Sequence, residues 1–282
     1  MSNTDSEISL VKLDDRHLEG ALKLSQEFNW PYRLEDWAFA AQVGEGFVLE
    51  RDRVVLGTAL WWCYGEHYAS AGMIIVTSNA QGGGNGSRLF NALLDATKGR
   101  AVLLNSTEEG LPLYRRRGFE PWGMVLQQQG ILETPPKFAS FDTVQPAVIA
   151  DLEAILRIDE RAIGMPRQRL IAALTAIGDC VVIRRDGAIT GFSILRRFGR
   201  GYVVGPVAAE NLDDAKCLIC AHLAKLGGQF VRIDVYAQDG LSDWLQSLGL
   251  ISVGEAVSMV NRKRPNAAGP AHMFAVSNQS FS

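Results

Sequence analysis

Residues 74–94 read IIVTSNAQGGGNGSRLFNALL, an apolar strand pattern followed by a glycine-rich loop and then an amphipathic helical pattern. Such a loop presents backbone N–H groups at the start of a helix, an arrangement that binds phosphate groups. A Walker A loop is excluded because the loop contains no lysine. The dinucleotide fingerprint GxGxxG fails because Leu89 stands at its third glycine position. A glycine turn without a ligand is the alternative, but it does not account for the flanking residues.

The chain also contains two related halves. Gly57 aligns with Gly191, 134 residues later, and both glycines lie in strand patterns that follow an amphipathic helix. Near the end of each half, Gly118 aligns with Gly249, 131 residues later. The hydrophobic pattern of each half predicts a helix, strands joined by a charged turn, a further helix and closing strands. The fold class expected is therefore α/β (α+β), with a mixed central sheet flanked by helices in each of two tandem domains.

The predicted connector between the halves is residues 133–146, ETPPKFASFDTVQP, whose three prolines favour an extended link. We place the domains at 1–134 and 135–282. The tail after Arg264 is polar except for residues 273–276, which predict either an edge strand or a mobile segment.

Composition restricts the class of protein. The chain has 282 residues, is 47% apolar and has a net charge of −3, so it can bury a large core and has no basic surface for nucleic acid. No membrane segment or secretory signal is predicted.

Four cysteines are too few for a disulfide framework and favour the cytoplasm. Cys217 and Cys220, with His222 nearby, are interpreted as buried packing residues in preference to a metal or redox site. The sequence leaves the oligomeric state open.

Two motifs in the first half resemble those of the GNAT superfamily of acyl-CoA N-acyltransferases. The family's pyrophosphate loop, Q/R-x-x-G-x-G/A five residues after a strand valine, is matched by Val76, Gln81, Gly84 and Gly86. The family's second motif, a helix ending in Y-x-x-x-G-F, is matched by Tyr114, Gly118 and Phe119. The resemblance is strong over residues 8–130 and weak over the second half, as in a tandem subgroup with a divergent C-terminal copy.

This resemblance implies that the first domain binds acetyl-CoA and needs no metal. In the family, the strand before the loop pairs with the pantetheine arm, which places the N–H of Ile74 towards the thioester oxygen. Thr107 stands where many relatives carry an asparagine that contacts the same arm. The candidate cofactor-binding residues are Ile74, Ile75, Val76, Gln81, Gly82, Gly83, Gly84, Asn85, Gly86, Ser87, Arg88, Thr107 and Tyr114.

Candidate catalytic residues follow from the same comparison. Tyr114 resembles the family's acid, because a phenol is protonated at neutral pH and can donate to the departing thiolate. Glu66 and His67 are candidates for the base, although a solvated hairpin turn is an equally good interpretation of that segment. The function expected is transfer of an acetyl group from acetyl-CoA to an amine. The alternatives are a non-catalytic acyl-CoA-binding or sensing module and a peptide or protein acetyltransferase.

The acceptor is expected at residues 27–37, EFNWPYRLEDW, where the family places its variable acceptor region. Glu27, Trp30 and Tyr32 would suit a small cationic amine with apolar bulk. The second half lacks the loop glycines over residues 205–217 and aligns Leu245 with Tyr114. We therefore expect that half to bind no CoA and to serve structure, for example as a wall of the acceptor site.

Overall fold

The structure is a computed structural model that describes residues 7–136 and 143–282. Within these residues, thirteen strands form one mixed sheet with helices on both faces, which confirms the predicted fold class. Residues 137–142, part of the predicted connector, lie outside the described residues. Of the helices in the described ranges, none is long and apolar enough to cross a bilayer.

The first half contains six strands and four helices within the described residues. The loop helix α3 begins at Asn85 and ends at Ala96. The elements are β1 Ser9–Lys12, α1 Leu18–Glu27, α2 Leu34–Val43, β2 Glu45–Arg51, β3 Val54–Tyr64, β4 Tyr68–Val76, α3 Asn85–Ala96, β5 Ala101–Ser106, α4 Leu111–Arg115 and β6 Glu120–Ile131.

The second half repeats this order and adds a final strand. Its elements are β7 Val144–Pro146, α5 Leu152–Ile163, α6 Gln168–Ile177, β8 Asp179–Arg185, β9 Ala188–Phe198, β10 Gly201–Ala209, α7 Leu212–Leu223, β11 Phe230–Tyr236, α8 Leu241–Ser247, β12 Ile251–Val260 and β13 His272–Val276. The hairpins β2–β3 and β8–β9 pair Leu49 with Gly57 and Ile183 with Gly191. The sequence repeat is therefore also a structural repeat.

The two halves exchange their closing strands. The sheet order is β1-β2-β3-β4-β5-β12-β6-β11-β13-β10-β9-β8-β7. Strand β6 pairs with β11, from Val125 opposite Tyr236 to Ile131 opposite Phe230, while β12 pairs with β5 through Val260 opposite Leu103. Each half thus completes the sheet of the other. The β5–β12 and β6–β11 ladders consequently depend on both halves being folded.

The apolar tail is an interior strand, so the expectation of an edge strand or a mobile segment is wrong. Strand β13 lies between β10 and β11 and pairs with both, with Ala275 opposite Val207 and Val235. Its run of consecutive apolar residues, Met273–Val276, is buried. Continuous apolar runs are typical of strands covered on both faces. The composition of residues 273–276 could not show that β13 lies inside the sheet, because its neighbouring strands are set by long-range pairing.

Successive side chains of a strand point to opposite faces of the sheet. Helices therefore pack on both faces of the first half's sheet. Trp62 and Met73 belong to the cluster beneath α1 and α2 with Trp37, whereas Trp61 belongs to the opposite cluster with Phe90 of α3. This layering fixes β4 between the two helical layers. The backbone of β4 carries the candidate site.

His222 is a buried neutral histidine on α7. Burial lowers its pKa to about 4, and all four cysteines, including Cys217 and Cys220, are free. No cluster of three metal-ligating side chains occurs in the described part of the chain.

Acid should therefore destabilise the protein through His222. The unfolded chain binds a proton on this residue below about pH 6.5 while the folded protein does not. The free energy of unfolding should fall by about 1.4 kcal/mol for each pH unit down to about pH 4. Denaturant titrations at several pH values give the free energy of unfolding as a function of pH. In His222→Leu this free energy should fall less steeply as the pH is lowered. The same dependence on pH in the variant and the parent protein would contradict this assignment.

Candidate active site

An open cleft separates β4 from β5. The two strands pair in parallel only from Tyr68 opposite Ala101 to Ser70 opposite Leu103. Beyond these residues β4 continues to Val76 without pairing to β5. The unpaired edge of β4 therefore offers backbone N–H and C=O groups to a ligand with amide groups of its own.

A β-bulge lies in β4 at the head of this cleft. Leu60 of β3 stands opposite Gly72 and Thr58 opposite Ile75, so Ala59 faces two residues of β4. Met73 has a φ of 51°, and its carbonyl accepts a hydrogen bond of 2.7 Å from Thr58 Oγ1. A bulge releases a strand residue from the ladder and re-aims its backbone. Here it frees the segment that contains Ile74.

The glycine loop follows β4 and leads directly into α3. Gly82 and Gly84 have φ values of 81° and 77°, which glycine adopts without strain. Gly84 is the N-cap of α3 and forms no side-chain cap, so the first N–H groups of this helix have no side-chain cap acceptor. The helix dipole and these donors make the loop suited to an anion.

The loop has room for a diphosphate. A Cβ at Gly82 or Gly84 would meet no heavy atom within 4 Å, and a Cβ at Gly86 would lie 3.9 Å from Val76 Cγ2. Side chains brace the loop from below, since Gln81 Nε2 donates to the Val76 carbonyl at 2.9 Å and Asn85 Nδ2 to the Ala80 carbonyl at 2.9 Å. The open space and the free donors fit a diphosphate of the size found in CoA.

The remaining loop candidates are placed as follows. Gly83 is exposed and Ser87 half-buried, both at the mouth of the loop. The Arg88 guanidinium donates to the Ile8 carbonyl at 2.8 Å and is thus tied to the N-terminal segment. Ile75 is buried on the far face of β4. Of the three β4 candidates, Ile74 is the one that lines the cavity described below.

Tyr114 lies on α4, across the cleft from the bulge. Its ring packs edge-on against Phe90, with 5.0 Å between centroids, and at a tilt against Phe119, with 6.0 Å between centroids. Burial raises the pKa of its phenol to about 12, so the hydroxyl holds its proton at neutral pH. Thr107 lines the same cavity, and its carbonyl accepts a hydrogen bond from the Gly110 N–H.

A cavity of about 250 Å³ joins the bulge, Tyr114 and the predicted acceptor segment. Trp30 and Tyr32 line it, with 6.1 Å between their ring centroids. Glu27 does not line it: the carboxylate accepts hydrogen bonds from the Thr77 hydroxyl and from the N–H and hydroxyl of Ser78, which lower its pKa. The structure therefore unites the two aromatic candidates and places Glu27 at the end of β4 as a brace.

Glu66 and His67 are exposed in the turn between β3 and β4. Six residues separate Glu66 from Gly72, which corresponds to roughly 20 Å along a strand. The backbone carbonyl of His67 accepts from the Ala101 N–H at 2.8 Å, at the closed end of the cleft. The structure does not bring either side chain to the bulge.

Sequence reasoning missed several residues that line the cavity, three of them from the second half. Gln279 and Ser280 follow β13, Arg232 lies on β11, and Gln127 lies on the exchanged strand β6. Ser280 packs on the bulge, since a Cβ at Gly72 would lie 2.7 Å from Ser280 Cβ. The available sequence signal for Gln279 and Ser280 was the apolar run that precedes residue 277. The insertion of this run as β13 depends on a cleft between strands that are distant in the sequence.

The corresponding cleft of the second half is filled by the chain itself. Strand β13 occupies the gap between β10 and β11, and a Cβ at Gly205 would collide with the Val276 carbonyl. Pro206 lies in the bulge of β10 and has no N–H to donate. Helix α7 is capped by the Asn211 side chain, which accepts from the Asp214 N–H at 2.9 Å. The backbone edge and the helix start that are free in the first half are thus occupied here.

Comparisons with known proteins agree with this geometry. Family models described as acetyltransferase (GNAT) domains match residues 42–121 and 155–275. The chain is 27% identical over 279 residues to an uncharacterized N-acetyltransferase, YitH, of Bacillus subtilis (strain 168), covering 96% of this chain and 98% of that protein. It is 28% identical over 212 residues to a holothin acyltransferase of a Pseudoalteromonas species, covering 72% of this chain and 69% of that protein.

A solved structure from Pyrococcus horikoshii shares the fold over the whole chain. Its TM-score is 0.81 at 15% identity, and the match covers 100% of this chain and 98% of that one. At this identity the likeness concerns the fold alone. The two matched domain models, the repeated strands and the cleft beside a glycine loop lead to one conclusion: the chain belongs to the GNAT acetyltransferase family and carries two GNAT domains in tandem.

Proposed function

We propose that this protein is an N-acetyltransferase that transfers the acetyl group of acetyl-CoA to an amine of a small molecule. The observation that carries the proposal is the single continuous cavity that joins the β4 bulge, Tyr114 and an aromatic wall, beside a loop suited to a diphosphate. The aromatic side chains of Trp30 and Tyr32 in the cavity wall support a small acceptor with apolar bulk. The acyltransferase relative named for holothin supports the same class.

We assign one CoA site to each chain, within domain 1–134, and a structural role to domain 135–282. The free edge of β4 and the loop from Gln81 to Gly86 would hold the cofactor, whereas β13 fills the equivalent gap of the second domain. We place the protein in the cytoplasm, in keeping with its free cysteines.

Bound acetyl-CoA would supply the activated acyl thioester. The backbone N–H groups released by the bulge would donate hydrogen bonds to the carbonyl oxygen of the thioester, an effect of about 2.7–4 kcal/mol in other acyl-transfer enzymes. The acceptor nitrogen would form a bond to the acyl carbon as the C–S bond breaks. Tyr114 would donate its proton to the departing thiolate and would be reprotonated through solvent by the proton that the acetylated nitrogen releases. Trp30 and Tyr32 exclude water and orient the acceptor.

The test is release of free CoA thiol during a screen of small amines with acetyl-CoA. We expect at least one amine to give thiol release together with its N-acetyl product by mass spectrometry. A sensing module would instead bind acetyl-CoA, as measured by calorimetry, without turnover on any amine in the panel. A protein acetyltransferase would acetylate peptides in preference to free amines.

Tyr114→Phe should lower the turnover number by about 100-fold, because only the proton donor is lost. The affinity for CoA should stay within about twofold, since the ring retains its contacts with Phe90 and Phe119. Steady-state kinetics and calorimetry on the same preparations measure the two effects. Tyr236→Phe is the matched control, because this buried tyrosine of the second half does not line the cavity. Equal turnover for Tyr114→Phe and the parent protein would remove Tyr114 from the mechanism.

A further inference from the structure

The second half provides the charge at the acceptor cavity. Among the described residues that line the cavity, Arg232 is the one charged side chain. It lies on β11 opposite Gln129 of the exchanged strand β6. Gln127, on the same face of β6, accepts from Gln279 Nε2 at 3.4 Å. This side of the cavity is therefore polar and cationic, while the side near Trp30 is aromatic.

Arg232 has hydrogen-bonding capacity to spare. Its Nε and Nη2 donate to the carboxylate of Asp234 at 2.7–3.1 Å. Among the contacts of the described residues, Nη1 has no hydrogen-bond partner. The Arg232 side chain is 12% exposed while that of Asp234 is fully buried. The guanidinium thus stands between a buried carboxylate and the cavity, and its outward edge can bind a second anionic group.

A second guanidinium behind the cavity has no ion-pair partner. Arg196 is buried, its Nε has no hydrogen-bond partner, and its Nη2 donates to the Ser277 carbonyl at 3.1 Å. Both Arg196 and Arg232 contact the Phe198 ring, at 4.7 and 5.6 Å from its centroid. That ring packs edge-on against Tyr32 of the cavity wall, with 5.4 Å between centroids.

The charges in this region do not cancel. Arg33 pairs with Asp36 and Arg232 with Asp234, while Arg196 forms no ion pair within the described residues. Burial lowers the pKa of Arg196 to about 10, so it remains charged at neutral pH. Buried charges are usually paired because desolvation disfavours an isolated ion. The three arginines and two aspartates leave one positive charge beside the cavity, which an anion in the cavity would offset.

We infer that the acceptor is an amine that also carries a carboxylate, and that Arg232 binds this carboxylate. The inference rests on the proposed acetyltransferase function and reverses the expected preference for a purely cationic amine. Of the three acidic residues in the predicted acceptor region, Glu27 is engaged by Ser78 and Asp36 by Arg33, and neither these two nor Glu35 lines the cavity. The first half therefore holds the acetyl donor, while the second half selects the acceptor by its charge.

Matched product pairs test this inference without requiring turnover. The probes are N-acetyl-6-aminohexanoate and N-acetylphenylalanine, each compared with its own carboxamide by calorimetry in saturating CoA. We expect at least one carboxylate to bind roughly 10-fold to 100-fold more tightly than its carboxamide. Equal binding within both pairs, or tighter binding of the carboxamides, would overturn the inference.

Variants then test whether Arg232 causes the preference for the carboxylate over the carboxamide. The double variant Arg232→Gln with Asp234→Asn removes both charges together, since loss of Arg232 alone would leave Asp234 buried and unpaired. It should abolish the preference for the carboxylate and leave carboxamide binding within about twofold. Arg185→Gln with Asp214→Asn is the matched control, because this bidentate pair lies outside the cavity. A preference that persists in the first double variant would overturn the role of Arg232.

A further single variant covers the case in which the double variant does not fold. Arg232→Lys keeps the positive charge but loses the planar fork, so it should reduce carboxylate binding alone. Equal weakening of both probes by this variant would also contradict the inference. Charge-selective probe binding without thiol release on any amine would contradict the proposed catalysis and leave the charge assignment standing.

Discussion

Deletion of residues 271–282 should unfold the second half of the protein. The deletion removes β13 from between β10 and β11 and exposes both of their ladder edges. Met273, Phe274 and Val276 are buried on this strand. Loss of side chains of this type costs about 1–5 kcal/mol each, which together approaches the whole stability of a typical domain, about 5–15 kcal/mol.

Circular dichroism and denaturant unfolding measure this effect. We expect the truncated chain to be insoluble, or to have lost the cooperative transition of the full chain. The matched control is Gln279→Ala with Ser280→Ala, which keeps β13 and alters only the cavity wall. This control should unfold within about 1 kcal/mol of the parent protein. A truncated chain that unfolds cooperatively at the parent's denaturant concentration would show that β13 does not support the sheet.

Gly86→Val should weaken CoA binding by at least about 100-fold. The nearest protein atom to a Cβ at Gly86 is Val76 Cγ2 at 3.9 Å, so the protein itself has room for the new side chain. The valine would instead occupy the space in front of the helix N–H groups. Hydrogen bonds to charged groups contribute about 1.5–3 kcal/mol each, and losing two of them gives a change of this size.

Calorimetric titration with CoA measures this prediction, and circular dichroism checks that the variant folds. Gly86 is a better position than Gly84, because the φ of 77° at Gly84 would strain any side chain. Gly254→Val is the matched control, since a Cβ there meets no heavy atom within 4 Å and β12 lies away from the loop. Parent-like affinity in Gly86→Val would show that the loop does not hold the diphosphate. Two CoA equivalents per chain in the parent protein would contradict the single site.

Local patterns were sufficient to predict the elements that position the glycine loop. The strand ending at Val76, the loop glycines and the helix from Asn85 are contiguous in sequence, so their order and spacing carry the geometry. The same holds for Tyr114, which lies one helical turn before Gly118 and packs on Phe119. The repeat at 134 residues likewise predicted two copies of one fold, because corresponding strands keep the same side-chain alternation.

The acceptor candidates show where local patterns stop being sufficient. Trp30 and Tyr32 were predicted because the family resemblance implies an acceptor region at residues 27–37, and both line the cavity. Glu27 lies in the same predicted acceptor region, yet hydrogen bonds from Thr77 and Ser78 hold its carboxylate outside the cavity. A carboxylate within a helix pattern does not reveal whether its partner is a ligand or a distant backbone N–H.

By itself, the sequence determined the fold class, the tandem repeat and the loop that suits a diphosphate, because each depends on neighbouring residues. Tertiary structure alone decided that β6 and β12 are exchanged and that β13 fills the second cleft. It also brought Arg232 and Ser280 to a cavity built around Gly72, although more than 150 residues separate them from that glycine in the sequence. Strand pairing between distant segments depends on the free energy of the whole sheet, and no local pattern encodes that choice.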